Sequence, residues 1–444
     1  MLIKFEVENW MSFRDKITFT TVATKERQHG PRVPYIKNYR TRILPISAIY
    51  GGNASGKTNL FQALKFCIRF IVRGTRPDEL IPVEAYRLNS EYPNKPTVFK
   101  FTLLVEDSMY EFVFSVNRNS VINEQLTEIT PYSSRVLYTR KINNQIEFDN
   151  SFYNEQFLQF AAKGTRENQL FLNNSVSQNI MYFKPIYDWF RNNIELIAPD
   201  TRFRPFEEFI KEDAPLYNFM NDKLQQLDTG ILRLGTEEIP FDSIAMPDEL
   251  KQELLSMTKE VASFRLRKDR YIVSKINGEL IAKRLITFHK MSGGKEVQFD
   301  IKHESDGSKR VIELLPAFLN LLDRKTQKVF IIDELDRSLH TLLTRALIEF
   351  YLSGCNKDSR SQLLFTTHDV LLMDQNIFRR DEMWVTEREQ DGNTVMFSFS
   401  DYHKDIRYDK DIRKSYLQGR LGGIPHVCLS DWRPDINDEK NKEK

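Results

Sequence analysis

Hydrophobic and polar residues alternate over much of the first 150 residues, and this period-2 pattern predicts β-strands. The alternation is present within residues 2–22 and again across residues 97–148, where turn residues separate the strands. Between these regions, the apolar run 43–50 predicts a buried strand, and the spacing over residues 59–70 predicts a helix after it. The first third of the chain is therefore predicted to hold a β-meander and one strand–loop–helix unit.

The hydrophobic period changes further along the chain. Residues 152–195 are predicted to be helical, and residues 200–285 are predicted to form a mixed insert with helices at 205–228 and 247–264. After His289, amphipathic helices alternate with short all-apolar strands, a pattern typical of a parallel α/β core. Because no heptad pattern is sustained over many turns, no long coiled coil is expected.

These patterns predict an α/β fold whose core is built from the two ends of the chain. The expected segments are an N-terminal lobe at 1–196, a mostly helical insert at 197–285, a C-terminal lobe at 286–430 and a charged tail at 431–444.

Composition narrows the class of protein. Hydrophobic residues make up 41% of the 444 residues, which is enough for a sizeable core, and the net charge is only +2. That charge argues against binding to polyanions through bulk charge, although a local basic groove remains compatible with it. Cys67, Cys355 and Cys428 show no disulfide or zinc spacing. With no signal peptide and no run of 18 apolar residues, a cytoplasmic protein that does not cross a membrane is expected.

The strand–loop–helix unit carries the complete pattern G-x-x-x-x-G-K-[ST] of a phosphate-binding loop. Lys57 provides a positive charge for the β- and γ-phosphates, and Thr58 provides a hydroxyl for Mg²⁺. A glycine-rich turn without a nucleotide is the alternative interpretation. The predicted nucleotide-binding residues of this segment are Gly51, Gly52, Asn53, Ala54, Ser55, Gly56, Lys57, Thr58 and Asn59.

Two later strands end in polar residues that suit phosphoryl transfer. The apolar strand Val329–Ile332 is followed by Asp333, predicted to hold Mg²⁺, and by Glu334, predicted to polarise the attacking water. The strand Leu363–Phe365 leads to His368, which can donate a hydrogen bond to the γ-phosphate. A solvated acidic turn and a structural histidine are the alternatives.

A third feature lies immediately before the predicted helix 308–323. Ser305 and Gly307 fall in the sequence Ser-Asp-Gly-Ser, which places free amides, a hydroxyl and a positive helix end together. Since one phosphate loop is enough for one nucleotide, a second anion site suggests contact with the nucleotide of a partner chain. A simple N-cap is the alternative interpretation.

The order of these motifs resembles that of the ABC-type ATPase heads of the SMC, DNA-repair and OLD (overcoming lysogenization defect) families. The resemblance covers most of residues 1–75 and 285–400. It implies ATP-driven dimerisation, with Gly51–Thr58 as the Walker A loop and Asp333-Glu334 as Walker B. It further implies the following roles: Asp336 as the D-loop acid, His368 as the H-loop histidine, Ser305 and Gly307 as signature residues, and Gln178 as the candidate Q-loop glutamine. The signature departs from the common Leu-Ser-Gly-Gly-Gln form because Asp306 replaces a glycine.

Three other stretches narrow the resemblance to a prokaryotic group of "AAA family, ATP-binding" ATPases. They are Phe5–Arg14, Ile81–Leu88 and the glycine-containing segment Tyr416–Pro425, and the stretch Glu304–Ser308 around the candidate signature matches as well. The group includes Rlo-type ATPases and the ATPase subunits of anti-phage systems such as PARIS and Septu. The resemblance therefore implies a defence ATPase that forms a homodimer or higher even oligomer, responds to a phage protein and controls a separately encoded effector such as a nuclease.

No nuclease is expected within this chain. The stretch after His368 shows no Glu followed by a paired Asp-x-Asp on buried strands, and Asp381-Glu382 and Asp401 are predicted to lie at the surface or on lobe-closing strands. A DNA-maintenance ATPase that clamps DNA is the alternative function, and the basic run Arg265–Arg270 would serve it unless it is a solvated helix face. A transporter nucleotide-binding subunit is a third possibility, but the long insert and the lack of a membrane segment argue against it.

Overall fold

The computed structural model describes residues 1–141, 143, 145–152, 155–199, 215–256, 261–266, 269–276, 279–402 and 411–424. Its strands are β1 Leu2–Glu8, β2 Ile17–Thr20, β3 Tyr35–Ile36, β4 Thr41–Arg42, β5 Ile46–Tyr50, β6 Thr97–Val105, β7 Ser108–Val116, β8 Val121–Ile129, β9 Ser134–Arg140, β10 Ile146–Phe148, β11 Ile194–Ile197, β12 Arg233–Ile239, β13 Val261–Leu266, β14 Asp269–Ile276, β15 Glu279–Lys290, β16 Glu296–Asp300, β17 Val329–Ile332, β18 Gln362–Thr366, β19 Met383–Arg388 and β20 Thr394–Ser398. Its α-helices are α1 Lys57–Arg73, α2 Gln156–Lys163, α3 Phe171–Ser177, α4 Lys184–Asp188, α5 Pro215–Gln226, α6 Asp248–Leu255, α7 Asp306–Leu322, α8 Thr341–Gly354 and α9 Ile412–Leu417.

An antiparallel sheet forms the N-terminal lobe, in the strand order β10-β9-β8-β7-β6-β1-β2. Alternate residues of β6 and β7 are buried, which follows from the period-2 pattern because successive side chains on a strand point to opposite faces. The buried face packs against α1, whose Leu60, Phe66 and Phe70 belong to the same hydrophobic cluster as the sheet.

A second sheet forms the centre of the molecule, in the order β11-β17-β18-β5-β19-β20. All neighbours are parallel except β19 and β20. Ile46, Ala48 and Tyr50 of β5 face the cluster that contains α7 and α8, whereas Ile49 faces the cluster that contains α1. Because helices cover both faces, these strands are entirely apolar or nearly so. The predicted α/β fold, built from the two ends of the chain, is confirmed.

The insert differs from the mostly helical lobe that the sequence predicted. Its described residues form an antiparallel sheet in the order β12-β15-β14-β13, with β16 also paired to β15. The predicted helix 247–264 ends at Leu255, and β13 begins at Val261. The physical reason is the β-branched and aromatic content of β14 and β15, which favours a pleated surface over a helix. Of the predicted helix 205–228, residues 205–214 lie outside the described residues, and the rest includes α5.

Hydrophobic residues of the insert contribute to the central core. Met220 and Leu224 of α5 and Leu285 of β15 share a cluster with α7. Among the described residues, no helix is both long and apolar enough to cross a membrane.

Candidate nucleotide site

Three parallel strands bring the predicted site together at one edge of the central sheet. The strand β18 lies between β5 and β17, with Ile49 opposite Thr366 and Ile332 opposite Phe365. The carboxyl ends of the three strands therefore meet, and the segments that follow them carry Lys57, Asp333 and His368. Such edges are where ligands bind in open parallel sheets.

Glycines are required at two positions of the phosphate loop. Gly51 has φ +153°, and a Cβ there would lie 2.5 Å from the Ser55 hydroxyl and 2.6 Å from the Thr386 carbonyl oxygen. Gly56 has φ +102°, and a Cβ there would lie 2.7 Å from Thr394. Both positions combine a left-handed backbone with close packing against β19 and β20, so a side chain would distort the loop. Ser55 fixes the loop further through a hydroxyl contact of 2.8 Å with Thr386.

The side chain of Lys57 lies inside the phosphate loop. Its Nζ donates hydrogen bonds to the carbonyl oxygens of Gly51 at 2.6 Å and Gly52 at 2.9 Å. It also lies 3.4 Å from Nδ1 of His368. Because an ammonium group can only donate, Nδ1 is the acceptor of this contact when Lys57 is charged. Burial lowers the pKa of Lys57 to about 8, so a phosphate that approaches it would favour the charged form.

Asp333 is buried beside two threonine hydroxyls. The Thr366 hydroxyl donates to its Oδ1 at 2.6 Å, and the Thr58 hydroxyl also bonds to this carboxylate. Burial is the largest influence on Asp333 and raises the pKa of its carboxyl group. A carboxylate and a hydroxyl next to a phosphate loop fit Mg²⁺, which takes oxygen ligands from one or two carboxylates and the substrate phosphates. Among the described residues, no group of three or more His, Cys, Asp or Glu could hold a metal without the substrate.

Glu334 turns its carboxylate toward the same space. Its φ of +49° is left-handed, and its main-chain amide donates to the Thr366 hydroxyl at 2.8 Å. The carboxylate lies 3.7 Å from Nε2 of His368 and 3.6 Å from Arg337. It remains about one-third exposed, so a water molecule can reach it.

Lys57, Thr58, Glu334 and His368 line a cavity of about 710 Å³, which is large enough for a nucleotide. Asp333 is not part of the cavity wall but bonds to Thr58, which is. Of the residues that the sequence analysis predicted, residues 53–59, Glu334 and His368 line the cavity, whereas Gly51 and Gly52 do not. The sequence analysis did not predict the other lining residues as part of a site. They are Met11, Ser12, Glu84, Ala85, Arg87, Leu88, Arg388 and Gly392. Ser12 is tied to the loop because the Asn59 amide donates to its hydroxyl at 2.7 Å.

Ser305 and Gly307 do not line this cavity. Ser305 caps α7 by accepting a hydrogen bond from the Ser308 amide at 3.0 Å, as the N-cap interpretation expects. A Cβ on Gly307 would lie 2.9 Å from the Ser338 carbonyl oxygen, so only glycine allows α7 to approach this loop so closely.

Of the two remaining predicted residues, Asp336 lies at the site and Gln178 does not. The Asp336 carboxylate accepts a hydrogen bond from the His368 amide at 3.3 Å, so it supports the histidine. The Gln178 prediction is not supported by the structure, because its side chain bonds to Asn174 at 3.2 Å and is not part of the cavity wall. Gln178 follows α3, which packs against the end of α1 opposite to the phosphate loop.

The glycine-containing segment near residue 420 contacts the phosphate loop. The Gly52 amide donates to the carbonyl oxygen of Gly423 at 3.1 Å. A Cβ on Gly423 would lie 2.1 Å from Val385 of β19, and its φ is +71°. The paired glycines were the only sequence signal for this contact, which holds the loop from the C-terminal side.

A phosphate loop between a buried parallel strand and a helix, facing an acidic strand end, defines a P-loop ATPase fold. A family model described as "AAA domain, putative AbiEii toxin, Type IV TA system" matches residues 46–374. Because this match covers well over half of the chain, the protein belongs to that family of AAA-domain ATPases.

Two solved structures of SMC heads are similar to the chain. The SMC head domain from Thermotoga maritima is 11% identical, with 89% of this chain and 98% of that chain covered and a TM-score of 0.35. The SmcHead bound to the C-winged helix domain of ScpA is 12% identical, with 89% and 97% covered and a TM-score of 0.38. A comparison with curated proteins found no match.

Proposed function

We propose that this protein is a Mg²⁺-dependent ATPase of an anti-phage defence system, in which ATP switches a dimer that responds to a phage trigger and controls a separately encoded effector. The observation that carries the ATPase part is the convergence of Lys57, Glu334 and His368 on one nucleotide-sized cavity, with Asp333 bonded to the lining residue Thr58. Phosphoryl transfer needs positioning and charge neutralisation more than covalent chemistry, and this set of side chains supplies both.

Each side chain has a distinct part in the proposed reaction. Lys57 exchanges its loop carbonyl partners for phosphate oxygens. Asp333 and Thr58 would hold Mg²⁺, which supplies charge neutralisation at the β- and γ-phosphates when bound. Glu334 orients and deprotonates the attacking water, and His368 donates a hydrogen bond to the γ-phosphate.

The dimer part of the proposal is supported by the position of α7. Ser305 and Gly307 lie at an exposed helix N-terminus outside their own cavity, where free amides could meet the γ-phosphate of a partner chain. Closure and reopening would then follow ATP binding and hydrolysis, so that the nucleotide selects between two states.

The defence part is supported by the family description and by the motif resemblance. The description names a putative toxin of a Type IV TA system, a name that implies a matching antitoxin. This supports a partner encoded outside the chain. It leaves the identity of the phage trigger and of the effector to experiment.

Co-purification with the products of neighbouring genes tests this proposal. The complex is co-expressed, purified through a tag on this chain, and weighed by native mass spectrometry with and without Mg-ATP. We expect a second protein whose amount or stoichiometry changes with ATP. A chain that purifies alone in both conditions and only dimerises with ATP would contradict effector control and favour a self-contained ATPase.

The alternative of a DNA clamp gains no support from the basic run that suggested it. Arg267 and Lys268 lie outside the described residues, and the backbones of Arg265 and Arg270 pair across the β13–β14 hairpin. Arg265 and Arg270 therefore lie on paired strands and not on the helix face that was considered.

A further inference from the structure

A second cleft lies at the end of α1 that is remote from the phosphate loop. It encloses about 860 Å³ and is lined by the last two turns of α1 and the loop that follows. Arg69, Arg73 and Arg76 line it, and all three side chains are exposed. Phe66 and Phe70 lie beneath them as an apolar floor.

These three arginines have no ion-pair partner among the residues that the structure describes. Many other arginines of the chain do, for example Arg14 with Asp391 and Arg345 with Asp374. Asp78 and Glu79 also line the cleft, but Glu79 accepts a hydrogen bond from the main-chain amide of Arg76 and not from a guanidinium group. The cleft therefore keeps a net positive charge and three guanidinium groups that are free to bind a ligand.

The usual reason for arginine at a helix C-terminus is to satisfy the last carbonyl groups, and it does not apply here. The Asn173 amide donates to the carbonyl oxygens of Ile71 at 3.0 Å and Val72 at 3.2 Å. The Tyr187 hydroxyl also donates to Val72 at 2.9 Å, and the Gly74 amide donates to Phe70 at 3.0 Å. Neutral groups already cap this helix end, so the arginines are not needed to bond its last carbonyl groups.

The loop that completes the cleft is held rigidly. The Asn168 side-chain amide donates to the carbonyl oxygens of Arg76 at 2.8 Å, Pro77 at 3.2 Å and Glu79 at 2.9 Å. Arg166 donates to the carbonyl oxygen of Thr75 at 2.6 Å. A loop fixed by buried side chains is preorganised, which lowers the cost of binding.

We propose that this cleft binds a ligand that carries several phosphate groups in a row. Arg69 and Arg73 are one helical turn apart, so their guanidinium groups lie side by side on one face of α1, and Arg76 extends the row. Guanidinium groups are well matched to phosphate oxygens because each can form two parallel hydrogen bonds. A nucleic-acid strand and a free polyphosphate share this chemistry.

The test uses the full-length protein and two probes. A fluorescein-labelled 12-nucleotide single DNA strand is titrated by anisotropy at several salt concentrations, and inorganic tripolyphosphate is added as a competitor. We expect the triple variant R69Q/R73Q/R76Q to bind at least about tenfold more weakly than wild type. The slope of log K against log[salt] should fall from about −2 for three contacts to near zero.

Two further variants test whether the labelled strand binds at this cleft or elsewhere on the protein. R324Q/K325Q removes two exposed positive charges after α7 and should bind as wild type does. K57A should also bind the strand normally, because the cleft does not include the phosphate loop, so a failed ATPase assignment leaves this test intact. Displacement by tripolyphosphate would identify free phosphate groups as sufficient, and displacement only by unlabelled strand would identify a nucleic-acid backbone. Equal binding by wild type and the triple variant, or no binding by wild type, would overturn the proposal.

Discussion

The guanidinium Nη2 of Arg310 lies 3.4 Å from the main-chain oxygen of Glu334, 24 residues away. Arg310 is only 4% exposed, and its Nε and Nη1 have no hydrogen-bond partner among the described residues. This long hydrogen bond joins the first turns of α7 to the residue that we assign as the general base. Movement of the α7 tip can therefore reach the site of hydrolysis in the same chain.

Arg310→Gln should lower kcat while it leaves ATP binding nearly unchanged. Arg310 lies outside the cavity wall but supports the backbone of Glu334, and small displacements of a catalytic group reduce rates by about tenfold to a hundredfold. Steady-state kinetics and calorimetric ATP binding separate the two effects. Arg310→Lys keeps the charge and should recover part of the rate. A folded Arg310→Gln protein with the wild-type kcat would show that this contact has no catalytic consequence.

Thr366→Val should raise the Mg²⁺ concentration needed for half-maximal ATPase activity by about tenfold or more. The hydroxyl of Thr366 donates to Asp333 and accepts from the amide of Glu334, so it orients both predicted catalytic carboxylates. Groups that support metal ligands have effects of about this size on metal affinity. Thr344→Val is a matched control, because Thr344 is also buried but its hydroxyl has no hydrogen-bond partner. An unchanged Mg²⁺ requirement in Thr366→Val would argue against Asp333 as the metal ligand.

Glu382 gives the protein a pH-dependent stability that is unrelated to the site. The sequence analysis placed Asp381-Glu382 at the surface or on a lobe-closing strand. Both lie in the turn directly before β19 and are buried beside Arg379, so the surface placement was wrong. Burial raises the pKa of Glu382 from 4.5 to about 7, despite its ion pair with Arg32. Between pH 4.5 and 7 the folded protein therefore retains a proton that the unfolded chain has lost, and the free energy of unfolding falls as pH rises.

Glu382→Gln should remove this dependence. The free energy of unfolding of the variant minus that of wild type should rise by an amount on the order of 3 kcal/mol from pH 5 to pH 8. Urea unfolding at the two pH values measures the gain, and Glu349→Gln, at an exposed ion pair of α8, should show none. Parallel pH profiles for wild type and Glu382→Gln would contradict the raised pKa.

The parts of the fold that the sequence predicted well are those with strong local patterns. The strand β17 has the predicted bounds Val329–Ile332, and α1 extends the predicted helix by only a few residues at each end. The phosphate loop was also predicted correctly, because its glycine spacing, its lysine and the strand before it lie close together in the sequence.

The features that were missed depend on contacts between distant segments. Arg388 and Ser12 reach the cavity from β19 and from the loop after β1, and nothing local marks either as a site residue. Gln178 was chosen by its order in the chain, yet α3 folds against the far end of α1. The insert was predicted as mostly helical because residues 248–255 have a helical pattern and do form α6. The strands that follow α6 form through pairing with one another, which the local sequence does not show.

The most direct test of the ATPase mechanism is the mass and nucleotide content of Glu334→Gln in Mg-ATP, measured by light scattering and by analysis of the bound nucleotide. We predict a stable dimer that holds unhydrolysed ATP, with turnover at least about a hundredfold below wild type. Lys57→Ala, the control, should bind no ATP and remain undimerised. A Glu334→Gln protein that hydrolyses ATP at the wild-type rate and never dimerises would contradict both the general-base assignment and the dimer switch.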